Sequence, residues 1–177
     1  KNLEEKEQER KKLDQAIERI IRAAAIAAQE KAESGTNRVE NVVNEAAGFK
    51  GMLGQLPWPV RGTIVKQFGK HAHPEYANVF TTNNGIDIQT AENATVKAVY
   101  KGTVVGKQFI PGYQNMLIIA HGSYYTVYSN LNVTMVNKGD KVTTGQIIGR
   151  VGGKKNEMHF EVWKEKQRMN PADWIRK

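Results

Sequence analysis

The sequence predicts a mainly β protein, an antiparallel β-sheet or β-sandwich domain preceded by a helical arm. Three observations carry this expectation. From residue 60 onward, short runs rich in β-branched and aromatic residues follow one another: "TIVKQF", "TVKAVY", "GTVVGKQF", "NMLIIAH", "YYTVYS", "QIIGRVG" and "MHFEVW". Such composition suits a pleated, half-buried surface. The segments between them, "GK", "PGY", "HGS", "NKGD" and "GGKKN", are turns with no helical pattern, which implies antiparallel neighbours. Before residue 50 the pattern is helical instead.

Residues 1–33 read as one helix, with Leu13, Ile17, Ile20, Ala24 and Ala27 at 4-3-4-3 spacing, the seam of a coiled coil. Lys6, Arg10 and Lys31 limit that seam to about two heptads. The expectation is a coiled-coil-like helix, the remnant of a longer coiled coil. A polar helix packed once on its own domain is the alternative, and whether it pairs with another chain or folds back stays open.

"ESGTN" interrupts this helix, and residues 34–56 read as a linker with a short amphipathic helix at 37–47. Asn37 and Glu40 make a capping box, and Val39, Val42, Val43 and Ala46 form one apolar stripe at i, i+3, i+4 and i+7. Gly48, Gly51 and Gly54 should end the helix, and "LPWPV" enters the β domain, residues 57–177, in extended form. A helix of about ten residues is marginal alone, so its stripe needs a surface.

Charge is unevenly divided. Residues 1–50 hold ten basic and ten acidic residues, whereas residues 51–177 hold sixteen and eight, the whole of the +8. A basic β domain favours an anionic partner. No aromatic-studded motif for reading RNA or DNA is present, which argues against nucleic acid. Without cysteine there are neither disulfides nor thiolate metal sites. No apolar run approaches the roughly 18 residues of a membrane span. The charged opening without an initiating Met suggests a fragment of a longer chain, in which case a signal peptide would lie outside it.

"NEMHFEV" (156–162) is the most informative strand. Period-2 alternation sends Met158, Phe160 and Val162 to a core face and Glu157, His159 and Glu161 to the opposite face. A His there, with an acid two residues before it, is either half of a metal-ligand pair or an ordinary polar residue. His71 and His73 form an HxH, best read as a solvated pair in a loop beside Pro74.

Four landmarks at family-like order and spacing resemble the LytM (lysostaphin-like) zinc peptidases that cut peptidoglycan cross-bridges. They are "NNGIDIQT" (83–90), "PGYQNMLIIAHGSYYTVYSNL" (111–131), "KGDKVTTGQIIGRVG" (138–152) and "EMHFEVW" (157–163). With "LPWPVRGTIVKQFG" before and "NPADW" after, the resemblance covers about residues 56–177 and implies a LytM-type β domain. It places the family's zinc ligands on Asn83, Asp87 and His159, and its two catalytic histidines on Asn130 and Glu157. His121 falls on a histidine for which a structural role is expected.

Only two of those five positions hold the expected residue. A catalytic zinc needs about three protein ligands and one open position, and a neutral amide is a poor substitute for imidazole. The expectation is a degenerate LytM domain that is not an enzyme, with no catalytic residue, no metal beyond the vestigial Asp87 and His159, and no cofactor.

A degenerate LytM domain after a coiled coil resembles the EnvC type of murein hydrolase activator. The resemblance implies a periplasmic protein of the cell envelope that binds and activates a cell-wall amidase during division. It also implies docking on an FtsEX-like complex through the coiled coil, with peptidoglycan as a further candidate partner. The partner-binding groove would comprise Asn83, Asp87, Tyr113, Tyr125, Asn130, Glu157 and His159. The 37–47 helix, through Val39, Val42, Val43 and Ala46, is expected to cover that groove in an off state; mere buttressing away from the cleft is its rival. Two other functions compete: a zinc-dependent peptidoglycan endopeptidase with unconventional ligands, and a passive peptidoglycan-binding module.

Overall fold

The expected strands form, and they pair antiparallel. The computed structural model describes residues 3–33 and 36–177, the side chains of residues 32–40 lying outside the description. Two helices come first, α1 (Leu3–Glu33) and α2 (Thr36–Lys50). Twelve strands follow: β1 (Thr63–Lys66), β2 (Gly69–Ala72), β3 (Phe80–Asn83), β4 (Ile86–Gln89), β5 (Thr95–Lys97) and β6 (Gly102–Ile110). The remainder are β7 (Gln114–His121), β8 (Tyr124–Thr134), β9 (Lys141–Val142), β10 (Ile147–Val151), β11 (Glu157–Lys164) and β12 (Gln167–Met169). A short 3-10 turn, Pro171–Asp173, is capped by the Asn170 side chain, which accepts from the Ala172 N–H.

Ten strands make one sheet with the order β1-β4-β11-β8-β7-β6-β9, while β10 joins β5 to β8 and β12 extends β11. β2 and β3 stand apart as a two-stranded hairpin. The long central strands β7, β8 and β11 alternate as their sequences predict. One face carries Leu117, Ile119, Tyr128, Met158, Phe160 and Val162 into the main core, with Ile86 and Ile88 of β4. The opposite face carries Met116, Ile118, Tyr125, Val127 and Trp163. Both faces are buried along most of these strands.

α1 covers that second face. Leu13, Ala16, Ile17 and Ile21 are buried against Ile110, Met116, Ile118, Tyr125, Val127 and Trp163. With half-buried Ile20 and Ala24, the stripe reads 13, 16, 17, 20, 21, 24, wider than a coiled-coil seam and shaped to lie on a sheet. Gly106 of β6 permits the approach, since a Cβ there would run into Ile20. The expected coiled-coil seam is therefore occupied, from Leu13 to Ala24, by the protein's own sheet, while Ala27 and Ile26 remain exposed.

α2 is longer than expected, running through Gly48 to Lys50. A glycine is tolerated there because the Tyr100 hydroxyl packs where its side chain would be. The helix ends in the main core: Phe49 stacks on His121 at 4.7 Å and packs on Tyr124 and Trp174. His121 is the buried structural histidine expected, its ring nitrogens 2.7 Å from the Lys101 carbonyl and 2.9 Å from Thr126 Oγ1. Burial lowers its pKa to about 4, so it stays neutral.

Candidate functional site

The register of β11 against β4 sets His159 directly opposite Asp87. Their side chains meet on the face under α1, with His159 Nδ1 2.8 Å from Asp87 Oδ1. The other ring nitrogen, Nε2, lies 2.7 Å from Glu161 Oε2, two residues along the same strand face. Glu161 is fully buried, and its second oxygen accepts the Trp163 indole N–H at 2.8 Å. A buried imidazole between two carboxylates is held as imidazolium, donating from both nitrogens. Burial alone would lower its pKa, but Asp87 and Glu161 together outweigh that and raise it to about 10. Burial would likewise raise Asp87; the His159 charge and hydrogen bond win and hold its carboxyl below the ordinary range.

The remaining expected residues divide into two groups. Asn83 belongs to the cluster: its amide donates to Asp87 Oδ2 at 3.3 Å, and its Oδ1 accepts from the Gly85 N–H at 3.4 Å. Tyr113 presents its ring edge-on to His159, centroids 6.0 Å apart, and burial pushes its phenol pKa up. Tyr125 lies further along the same face, in the α1 seat. Asn130 and Glu157 do something else. Asn130 adopts a left-handed backbone (φ 67°), and its amide donates to the carbonyls of Gly152 and Glu157. It clamps the end of the sheet through backbone and offers no donor to the Asp87–His159 pair. The half-buried Glu157 carboxylate lies 4.0 Å from Lys66 Nζ, whose charge also acts on Asp87.

Three further residues complete the site. Glu161 and Trp163 continue the alternation of His159 and were detectable from it. Asp14 comes from α1, where no local signal marks it: its Oδ1 accepts from Asn84 Nδ2 at 2.9 Å and its Oδ2 from Arg10 at 3.3 Å. Burial, with the nearby Glu161 charge, raises its pKa despite the Asn84 hydrogen bond. Polar ties flank the apolar seat, with Arg168 donating to Glu18 at 3.0 Å while lying 4.4 Å over the Trp163 ring.

The expected cover, residues 37–47, is elsewhere. α2 sits on the β7–β8 turn, where a side chain at Gly122 would collide with the Val42 carbonyl and Ala46. Ala46 packs on the main core, whereas Val43 is 59% exposed; the Val39 side chain lies outside the described residues. Phe49 and Ala46 hold the helix there: Phe49 packs on His121, Tyr124 and Trp174, and Ala46 on the same core. The helix over the cleft face is α1.

The family to which this sequence is similar uses zinc, and the residues present do not fit it. Asp87 and His159 spend their facing atoms on each other, and Asn83 turns an amide N–H, not a lone pair, toward Asp87. An imidazolium cannot ligate a metal until it loses a proton, which two carboxylates oppose. Among the described residues no group of three His, Cys, Asp or Glu stands where one ion could be held.

Comparison with known proteins agrees with this fold. The pattern of Peptidase family M23 matches residues 81–171, from β3 through β12. The murein hydrolase activator EnvC of Escherichia coli is 26% identical over 145 residues, which are 79% of this chain and 33% of EnvC. The structure of Helicobacter pylori Csd3 superposes with a TM-score of 0.62 at 29% identity, over 69% of this chain and 35% of Csd3. The SpoIIQ–SpoIIIAH pore-forming complex contains a chain that superposes at 0.59 and 27% identity, covering 71% of this chain and 93% of that one. The chain thus spans about a third of the length of EnvC. With the antiparallel sheet, the landmark order and half of its residues matched, this chain belongs to peptidase family M23.

Proposed function

We propose that this M23 domain is a non-catalytic regulator that binds a cell-wall amidase in the periplasm and switches it on during cell division. The observation that supports this most is the Asp87–His159–Glu161 chain: where the family's metal chemistry is expected, this protein has a closed ion-pair network in which His159 bridges two carboxylates. The name of the similar E. coli protein, murein hydrolase activator, points the same way. A cleft that does not cut retains a use as a docking surface, here rich in Tyr113, Tyr125, Trp163, Met116 and Val127. Once α1 leaves, aromatic and apolar residues of this kind are the usual anchors of protein interfaces.

In this reading α1, not the 37–47 helix, is the restraint. It occupies the surface the amidase would use, so binding requires α1 to leave, and the apparent affinity falls by the fraction of molecules in which it has left. An FtsEX-like complex pulling on the helical arm would supply the displacement. The test is hydrolysis of dye-labelled murein by a purified cell-wall amidase alone, by this protein alone with added zinc, and by the two together. Release only in the mixture, above the amidase alone, supports the proposal. Release by this protein alone would favour the zinc endopeptidase instead.

A further inference from the structure

β6 keeps part of one edge open. Its inner edge pairs with β7 from Thr103 to Ile110, whereas β9 covers the outer edge only at Gly102 and Thr103. The loop before β9 extends that cover by one residue: the Val104 N–H donates to the Asp140 carbonyl, and the Val104 carbonyl accepts from the Gly139 N–H. Past the irregularity between Val104 and Gly106, the hairpin end fixes the direction of bonding. There the Ile110 carbonyl accepts from the Tyr113 N–H, so Ile110, Gln108 and Gly106 bond toward β7, and Lys107 and Phe109 point their main chain outward. Among the described residues no strand or loop backbone is hydrogen-bonded to that outward main chain.

The side chains there are specific. Gly106 lies under Ile20, Gln108 accepts from Arg19 and Ile110 belongs to the α1 seat, so Lys107 and Phe109 project from the opposite face. Both are exposed, Phe109 at 63%. Lysines crowd the edge: Lys101, Lys107, Lys138 and Lys141 are all exposed. Lys107 Nζ donates to Asn137 Oδ1 at 3.1 Å, and Lys141 stands opposite Thr103. The one acid in residues 101–110 and 136–146 is Asp140, whose Oδ2 accepts from the Asn137 N–H. Glu9 of α1 sits beyond the end of the strand, against Gly112. A free edge is a template for an added strand. Two copies of this edge would bring lysines of like charge together, so the charge selects an acidic strand over a second copy.

We propose that the outer edge of β6, at Lys107 and Phe109, is a docking site for an extended acidic segment of another protein, which joins the sheet as a further strand. Main-chain bonds to Lys107 and Phe109 hold the segment. A carboxylate on it meets Lys107, and an apolar residue two positions away covers the Phe109 ring. The edge lies three strands from β11 and its His159, so the proposal does not rest on the activation reading.

The probe is a labelled synthetic peptide, Val-Thr-Glu-Thr-Val-Thr-Glu, with one version carrying lysine for glutamate and another a central proline. In fluorescence anisotropy at low salt the whole chain should bind the acidic peptide saturably. Binding should be about tenfold weaker for the lysine peptide, for the proline peptide and for the Lys107→Glu variant. Amide hydrogen exchange locates the contact: the Lys107 and Phe109 amides should exchange fast in the free protein and slowly once the acidic peptide is bound. No binding of the acidic peptide overturns the proposal, as does equal binding of its lysine version, or binding that leaves those two amides unprotected. Protection of both amides in the protein alone, rising with its concentration, would place a second copy on this edge and overturns the proposal too.

Discussion

Replacing Ile17 by aspartate should lift α1 from the sheet without unfolding the domain beneath. Ile17 is fully buried among Met116, Ile118, Tyr125, Val127 and Trp163. Its burial contributes about 2 kcal/mol, and a carboxylate left in that apolar seat costs about 2 kcal/mol more even with partial relaxation. The sum, about 4 kcal/mol, is nearly a thousandfold change in the ratio of docked to undocked α1. The main core, built from Phe160, Leu117, Tyr128 and their neighbours, does not touch Ile17. Amide hydrogen exchange reads both parts at once. In Ile17→Asp, exchange across residues 10–24 should rise by orders of magnitude while β7, β8 and β11 keep most of their protection. Ala23→Asp, on the exposed side of the same helix, is the control and should exchange like the parent. If α1 stays as protected in Ile17→Asp as in the parent, its seat is not what holds it.

Three further outcomes follow from the site. His159→Ala breaks a buried ion pair and should cost about 3–5 kcal/mol in urea unfolding near pH 6. Because the His159 pKa is raised in the fold, to about 10, the parent's advantage over this variant should be complete below about pH 6.5 and shrink as pH rises toward 10, by at most about 1.4 kcal/mol per unit; an advantage constant from pH 6.5 to 10 would contradict a charged His159. Zinc should leave the Tm of the parent unchanged but raise that of Asn83→His, more at pH 8 than at pH 6, since His159 must shed a proton to bind; a zinc-dependent rise in the parent would refute the closed ion pair. Val43→Asp, at a 59% exposed position, should change stability by no more than about 0.5 kcal/mol and leave both α1 exchange and amidase stimulation as in the parent.

The strands were legible because alternation and turn chemistry are local. In β11 the same period that assigned Met158, Phe160 and Val162 to the core also assigned His159 and Glu161 to one face, and Trp163 follows by one more step. What alternation could not supply is register: that Asp87 faces His159 depends on how β4 aligns with β11, a long-range fact. The helices were harder for a related reason. A 4-3-4-3 spacing serves a coiled-coil seam and a sheet-packed stripe equally, and only Ala16 and Ile21 beside it distinguish the broader stripe. Glycine as a helix breaker failed at Gly48, where tertiary packing against Tyr100 overrides propensity. Asn130 looked like a vacated catalytic position; its positive φ and its amide bonds to two carbonyls make it a backbone clamp, which a one-letter code does not reveal.

In the proposed function α1 and a partner amidase compete for one sheet face. Titration calorimetry of a purified cell-wall amidase into the parent and into Ile17→Asp, in the same buffer, reads that competition. Competition predicts that Ile17→Asp binds at least about tenfold more tightly, because the fraction of molecules with an open face rises. Equal or weaker binding by a variant whose α1 is shown to be undocked would contradict it.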